Sequence, residues 1–447
     1  MRSGRPGQHV SLMGVGFAST PPLVNPMKIF GFCSKGCLSL ILLSTALATP
    51  LAVRAADRSV YTLNDLIGLA QRSNPALASM RARVAGAQAA LLTAQAYPNP
   101  DIDVLAGRQS GSTPAVATGS SGNLGFMQPL ERPSLRQSRR DVAVAGIDLS
   151  EAAAGSSERD LIAAIKLRYL EVLRLRAAAR LAQDDRQTAE QIRARVAVRV
   201  STGESARFEL IRAETERLNA LRAAQTAALS ADRARIELRR LVGAELPADF
   251  ELAGSIEDAS PAPRPLEAMR RDMLERHPEL QIARAQLRSA EAKVALERER
   301  AKPAFALRGG LDRVPQTLDA RLGLVMTVPI FDRREGPIAE ALADVDRSRF
   351  ALTSLEQTLN QLLDSAWQQY QIALSQVNAY ESGILREAES ALKVAEASYR
   401  FGERGILDYL DAQRTFRMVR NELNTTRHDL RAALAELERL SLTSEQP

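Results

Sequence analysis

Apolar residues step by three and four along most of this chain. Leu352, Leu355, Leu359, Leu362 and Ala366 form one stripe, and Ala373, Val377, Tyr380 and Ile384 continue it. This heptad-like spacing predicts a helix packed along its length against a partner. Prolines bound the helical runs. None lies between Pro133 and Pro247, and none between Pro337 and Pro447. Both runs are rich in Ala, Leu, Arg, Glu and Gln, the strong helix formers. Residues 338–400 as one helix span ~95 Å at about 1.5 Å per residue. Residues 134–200 predict a similar rod, weakened near its start by Gly146 and Gly155. Each rod ends at a glycine, in "STGES" and in "FGERG", where a left-handed turn stops a helix. A second helix follows each time. Each half therefore holds a long antiparallel helical hairpin, with Gly203 and Gly402 at the tips.

Two other stretches alternate with period two. Leu322, Leu324, Met326 and Val328 alternate with Arg321, Gly323, Val325 and Thr327, the pattern of a strand with one apolar face. With "FALRGGLD" this predicts a β-hairpin over 304–331. "DIDVLAGRQ" and "GNLGFMQPLE", joined by a Gly/Ser/Thr-rich loop, predict another over 101–131. Strands of about ten residues suit a membrane-spanning β-strand. An ordinary small sheet packed on helices fits the alternation equally well.

The two halves read alike. "SNPALASMRARVAGAQ" matches "RHPELQIARAQLRSAE", and "QPLERP" matches "VPIFDR". Setting Gly203 on Gly402 places Glu209 on Asp408 and Ala213 on Ala412. The expectation is an internal duplication. The first repeat covers 57–243, an inter-repeat segment 244–266, and the second repeat 267–442. Four strands fall short of the eight that close an outer-membrane barrel, and open edges cannot face lipid. In a membrane, three chains would supply twelve strands.

Charge changes little. Of the 59 Lys and Arg, five lie in residues 1–55, which hold no acid. The remaining 54 face 53 Asp and Glu, so the basic balance is no footprint of nucleic-acid binding. From Met27 the leader has a Lys-bearing start, an apolar core from Leu38 to Leu47, and Val53 and Ala55 at a cleavage site. That is a secretory signal peptide cut before Ala56. Residues 1–26 have no apolar core, so Met27 is the expected start. Both cysteines, Cys33 and Cys37, lie in this leader, which leaves the mature chain without disulfides or thiolate metal sites. His277 and His428 are its two histidines. His277 occupies the helix-start position that Asn74 has in the other half, and no metal-chelating site is expected. The chain has no phosphate loop, nucleophile elbow or metal-hydrolase motif, so neither enzyme chemistry nor a cofactor is expected.

With the signal peptide and the two halves, "NPAL", "QPLERPSLRQSRRDVA", "VPIFDRREG" and "GILDYLDAQ" resemble the TolC-type outer-membrane efflux family over residues 57–442. "VPIFDRREG" and "QPLERPSLR" resemble most the CzcC-like branch, outer components of heavy-metal efflux systems. The resemblance implies a mainly α fold with a transmembrane β-barrel: a homotrimer sharing one twelve-stranded barrel, continued by a periplasmic tunnel of helices. The inter-repeat segment with "PAPRP" would belong to an equatorial belt. Location in the bacterial outer membrane follows, with outer-membrane lipid around the barrel. The implied partners are a periplasmic adaptor (a membrane fusion protein) and an inner-membrane RND-type pump. The entrance residues carry over onto the second tip. Asp408 and Asp411 fall on the acidic ring, and Tyr399 and Arg404 on the latch. Glu209 falls on the first repeat's acidic partner, where the best-known member of the family has Asp, a difference of one methylene. Gly203, Glu204, Ser205, Gly402 and Glu403 fall on the adaptor-contacting tips.

Taken alone, Asp408 and Asp411 are also ordinary first-turn acids on one helix face. Two functions stay open at this level. One is a passive export duct for divalent heavy-metal cations, or alternatively for drugs or secreted proteins. The other is a periplasmic coiled-coil structural or adaptor protein. The strands separate the two, because a duct needs an apolar face that meets lipid.

Overall fold

A computed structural model of the chain describes residues 59–110, 118–258 and 261–441. The signal peptide, its cysteines and the Met27 start lie outside the described residues. The rod expected over 134–200 folds as one 69-residue helix, α3 (Pro133–Ser201), about 100 Å long. Gly146 and Gly155 sit inside it without a break, and open space surrounds both. A glycine in a helix interior costs about 1 kcal/mol. Burial along α4 (Arg207–Val242) and other helices overrides that.

The second rod, expected over 338–400, is not one regular helix. It reads α7 (Glu335–Ala379), a π turn (Tyr380–Ile384) and α8 (Leu385–Arg400). The buried stripe also differs in two places. Leu363 is fully buried while Leu362 is 46% exposed, and Ile384 in the π turn is 44% exposed. The π turn carries one residue more per turn than an α-helix, so its Ile384 leaves the stripe. Burial resumes at Ala388 and reaches Tyr399.

Before each long helix stands a shorter pair. These are α1 (Leu63–Ser73) and α2 (Pro75–Gln95) in the first half, and α5 (Leu266–Arg276) and α6 (Pro278–Arg300) in the second. Thr62 and Asp65 close a capping box on α1. No described helix is long and apolar enough to cross a membrane. The chain ends its described part with α9 (Ile406–Ser441).

The expected hairpins form one sheet. Strands β2 (Asp101–Gln109), β3 (Gly119–Leu130), β5 (Ala304–Val314) and β6 (Thr317–Thr327) are antiparallel in the order β2-β3-β5-β6. The register sets Ile102, Phe126, Gly309 and Leu322 in one row, and Val104, Leu124, Leu311 and Ala320 in the next. Residues side by side share a face. One face is thus apolar through its middle. The other bears Asp103, Asn123, Asp312 and Arg321. Asn123 Nδ2 donates to Asp312 Oδ1 at 2.5 Å. The phrases after the hairpins clamp the sheet to α6. Arg132 donates to the carbonyls of Pro303 and Glu299. Arg334, held left-handed at φ 57°, pairs with Glu297 at 2.6 Å.

The inter-repeat segment is docked rather than loose. Its β4 (Glu251–Leu252) pairs in parallel with β1 (Val60–Tyr61). Leu246, Phe250 and Ile256 enter a core with Leu66, Ile165 and Leu238. Tyr169 and Arg176 donate to its carbonyls at Ala253 and Leu252. A second core gathers Met269, Met273 and Leu280 against Leu359, Leu363 and Leu437. His277 is the N-cap position of α6, as expected, but its side chain makes no cap hydrogen bond. It is 2% exposed instead.

Candidate functional site at the hairpin tips

Both tips close by the same backbone device. After α3, Gly203 takes φ 81°, and the amides of Gly203 and Glu204 donate to the Val200 and Arg199 carbonyls. After α8, Gly402 takes φ 77°, and the amides of Gly402 and Glu403 donate to Tyr399 and Ser398. These are Schellman turns, which need a left-handed residue just past the helix. Nothing lies within 4 Å of a Cβ added at either glycine. Backbone conformation, and not crowding, therefore asks for glycine.

The two tips share one small core. Ile192 and Val196 of α3 and Ala213 of α4 pack with Tyr399 of α8 and Ile406, Tyr409 and Leu410 of α9. Tyr399 stacks on Tyr409 with ring centroids 5.8 Å apart. The Arg199 guanidinium lies 4.8 Å from the Tyr399 ring centre, and Arg199 donates to the Tyr399 carbonyl at 3.1 Å. Burial pushes the Tyr399 hydroxyl above its ordinary pKa; the Glu209 charge adds to the shift, and Arg199 opposes it. The Tyr399 hydroxyl and Glu209 Oε2 are both buried without a hydrogen-bond partner.

Tyr399 and Glu209 therefore come together within one chain. Arg404 does not join them. It is exposed in the turn before α9 and reaches Asp408 in the first turn of that helix at 3.8 Å. Arg199 takes the place beside Tyr399, a residue the sequence reading missed. Ser398 is its counterpart in the second half, so the repeat pattern does not mark it. Asp408 and Asp411 are exposed on α9. Glu204, Gly203, Gly402 and Glu403 are exposed at the ends, with Ser205 half-buried.

Below the tips lies a charged tie between hairpins. Glu216 of α4 is 5% exposed. Arg414 and Arg417 of α9 bracket it at 3.1 and 2.9 Å. Asp185 of α3 is buried nearby, and burial raises its pKa against the pull of Arg420 and Arg417. Arg195 and Glu396 add a link at 2.9 Å. One signal was available in the sequence. Glu216 interrupts the small-residue stripe Ala213, Ala220, Ala224, and an acid in a buried stripe demands a partner. Among the described residues, no group of His, Cys, Asp and Glu is arranged to hold a metal ion.

Comparison with known proteins agrees with this architecture. The profile of the family described as Outer membrane efflux protein matches residues 66–244 and 269–441. The cobalt-zinc-cadmium resistance protein CzcC of Cupriavidus metallidurans is 26% identical over 361 residues, covering 80% of this chain and 84% of that one. The outer membrane efflux protein BepC of Brucella suis is 25% identical over 416 residues, covering 90% and 89%. Among solved structures, the outer-membrane channel OprN superposes with a TM-score of 0.74 at 18% identity, over 86% of this chain and 91% of that one. With matches on both sides of the inter-repeat segment and a fold shared across most of its length, the chain belongs to the outer membrane efflux protein family, the TolC type.

Proposed function

We propose that this chain is the outer-membrane exit duct of a tripartite efflux system, with divalent heavy-metal cations as cargo. One observation carries the duct reading. The four-stranded sheet has a face that is apolar through its middle, and helices of about 100 Å leave the end opposite its hairpin turns. Among the described residues, neither outer strand, β2 nor β6, has a second neighbour. Lipid cannot satisfy such edges. Three chains pairing β2 with β6 would close twelve strands, and the helices would extend the barrel as a periplasmic tunnel. The two repeats, 57–243 and 267–442, would then each contribute a hairpin to wall and tunnel, with 244–266 as the belt between them.

The hairpin tips would be the periplasmic entrance. Gly203, Glu204, Ser205, Gly402 and Glu403 would meet the adaptor, itself bound to an inner-membrane RND-type pump. Asp408 and Asp411 from three chains would place six carboxylates around one aperture, and such rings favour cations. Tyr399, Glu209 and Arg404 would latch the closed entrance, with Arg199 holding Tyr399. Adaptor and pump would open it by binding the open state better. The metal assignment rests on the likeness to CzcC and on "VPIFDRREG". A strain lacking the gene should become more sensitive to zinc, cobalt, cadmium, copper or nickel salts than to hydrophobic drugs. The reverse order would overturn the cargo. Absence of the protein from outer-membrane fractions would overturn the duct.

A further inference from the structure

The charges on the sheet are sorted by face. On the apolar face β2 carries Ile102, Val104, Ala106 and Arg108, and β5 carries Phe305, Leu307, Gly309, Leu311 and Arg313. The facing positions of β3 and β6 hold no charge at all. Asp101, Asp103, Asp312 and Asp319 all lie on the opposite face, with Arg308 and Arg321. The apolar face thus bears two charges, both arginine, both near the hairpin turns. Arg108 and Arg313 are exposed, and neither forms an ion pair with another described residue.

Their placement is that of a pair. Arg108 stands opposite Ser120, and Arg313 opposite Gly122, on either side of β3. From strand spacing their backbones are ~12 Å apart, with only the small residues Ser120 and Gly122 between them. Two guanidiniums on long stems can meet over that gap, and guanidinium pairs bidentately with phosphate. One rung further from the turns, an apolar groove of about 480 Å³ begins, lined by Ile102, Leu124, Phe126, Leu311 and Leu322 over Gly309. The Phe126 ring lies where a Gly309 Cβ would be, so glycine there lets the ring pack flat on β5 as part of the groove floor.

We propose that Arg108, Arg313 and this groove form a binding site for the phosphorylated lipid of the outer leaflet, lipopolysaccharide. The arginines hold a lipid A phosphate and the groove takes an acyl chain. The inference rests on the reading of the sheet as an outer-membrane barrel with the long helices in the periplasm, which puts the hairpin turns at the outer surface. Phosphate and acyl chain then occur there in the order the site presents them.

The test uses the full-length protein, extracted in detergent, with bisphosphorylated lipid A, monophosphoryl lipid A and phosphatidylglycerol as probes in native mass spectrometry. Wild type should retain bisphosphorylated lipid A best. Arg108→Gln and Arg313→Gln should each weaken retention roughly tenfold, as for loss of a charged hydrogen bond. Arg308→Gln on the other face should leave it unchanged. Equal retention by the double variant Arg108→Gln/Arg313→Gln, or equal retention of phosphatidylglycerol, overturns the site. Heat-modifiable migration and mass are read on the same samples. If the protein is an intact barrel oligomer and retention ignores the arginines, the lipid site alone fails. If no barrel oligomer is present, the barrel reading and the site fail together.

Discussion

At the residue scale, His277 shows how one buried side chain ties stability to pH. Burial, with Arg439 and Arg159 nearby, lowers its pKa to about 4 from 6.5. The folded chain then binds fewer protons than the unfolded chain between those values. Stability contributed by keeping it neutral is full above pH 6.5 and is lost as pH falls toward 4. At pH 5 the loss is about 2 kcal/mol. Asn74, the corresponding residue in the first half, accepts from the Ala76 amide and so caps α2. His277→Asn should therefore flatten the pH dependence, read as the thermal midpoint of helical circular dichroism at pH 7 and pH 5. An unchanged slope would remove His277 from this role. At the tip, Gly402→Val should cost about 1–2 kcal/mol from backbone strain, and Gly402→Asn less, because Asn tolerates the left-handed region. Limited proteolysis of the tip would rank the three. In planar bilayers, Arg404→Ser with Tyr399→Phe should raise open conductance. Asp408→Asn with Asp411→Asn should abolish block by multivalent cations. Conductance and block that ignore these changes would place latch and ring elsewhere.

At the element scale, the π turn between α7 and α8 makes a sharp prediction. It is an α-helical turn with one extra residue. Deleting the exposed Ser382 should restore a regular helix and keep the phase of α8, so that Tyr399 stays buried against α9. Deleting Ala391 inside regular α8 has no such slack. It should rotate the tip by roughly a quarter turn and expose it. Protease resistance of the tip should survive the first deletion and fail in the second; equal behaviour would deny the π turn this role. The tie of α4 to α9 through Glu216 is a second element-scale feature. Glu216→Ala leaves Arg414 and Arg417 half-exposed and able to find water, so the cost should be about 1–3 kcal/mol. Hydrogen exchange should quicken in α4 and α9.

At the scale of the whole molecule, the outer strands of the sheet have one neighbour each among the described residues. They present unpaired backbone groups along nine and eleven residues, a template for another chain. Detergent-extracted protein should run near three times the mature mass in light scattering. A monodisperse monomer with a folded barrel would overturn the trimer.

Periodicity and punctuation alone were enough for the helical hairpins, the tip glycines and the two strand pairs. These depend on local rules: a stripe every three or four residues, a left-handed turn after a helix, and alternation along a strand. Gly203 and Gly402 were legible because only one backbone conformation ends a helix that way. Pairing decided the rest. The sequence does not say that β3 meets β5, which joins the hairpins into one sheet with Phe126 over Gly309. Nor does it say that Arg199, and not Arg404, lies against Tyr399, or that Leu363 and not Leu362 faces inward. Helix phase and register are fixed by packing between segments far apart in the chain, β3 on β5 and α7 on α6 and α9. A one-residue change in phase turns a helix by about 100°, so which side of a stripe is buried was settled only by the partner helix.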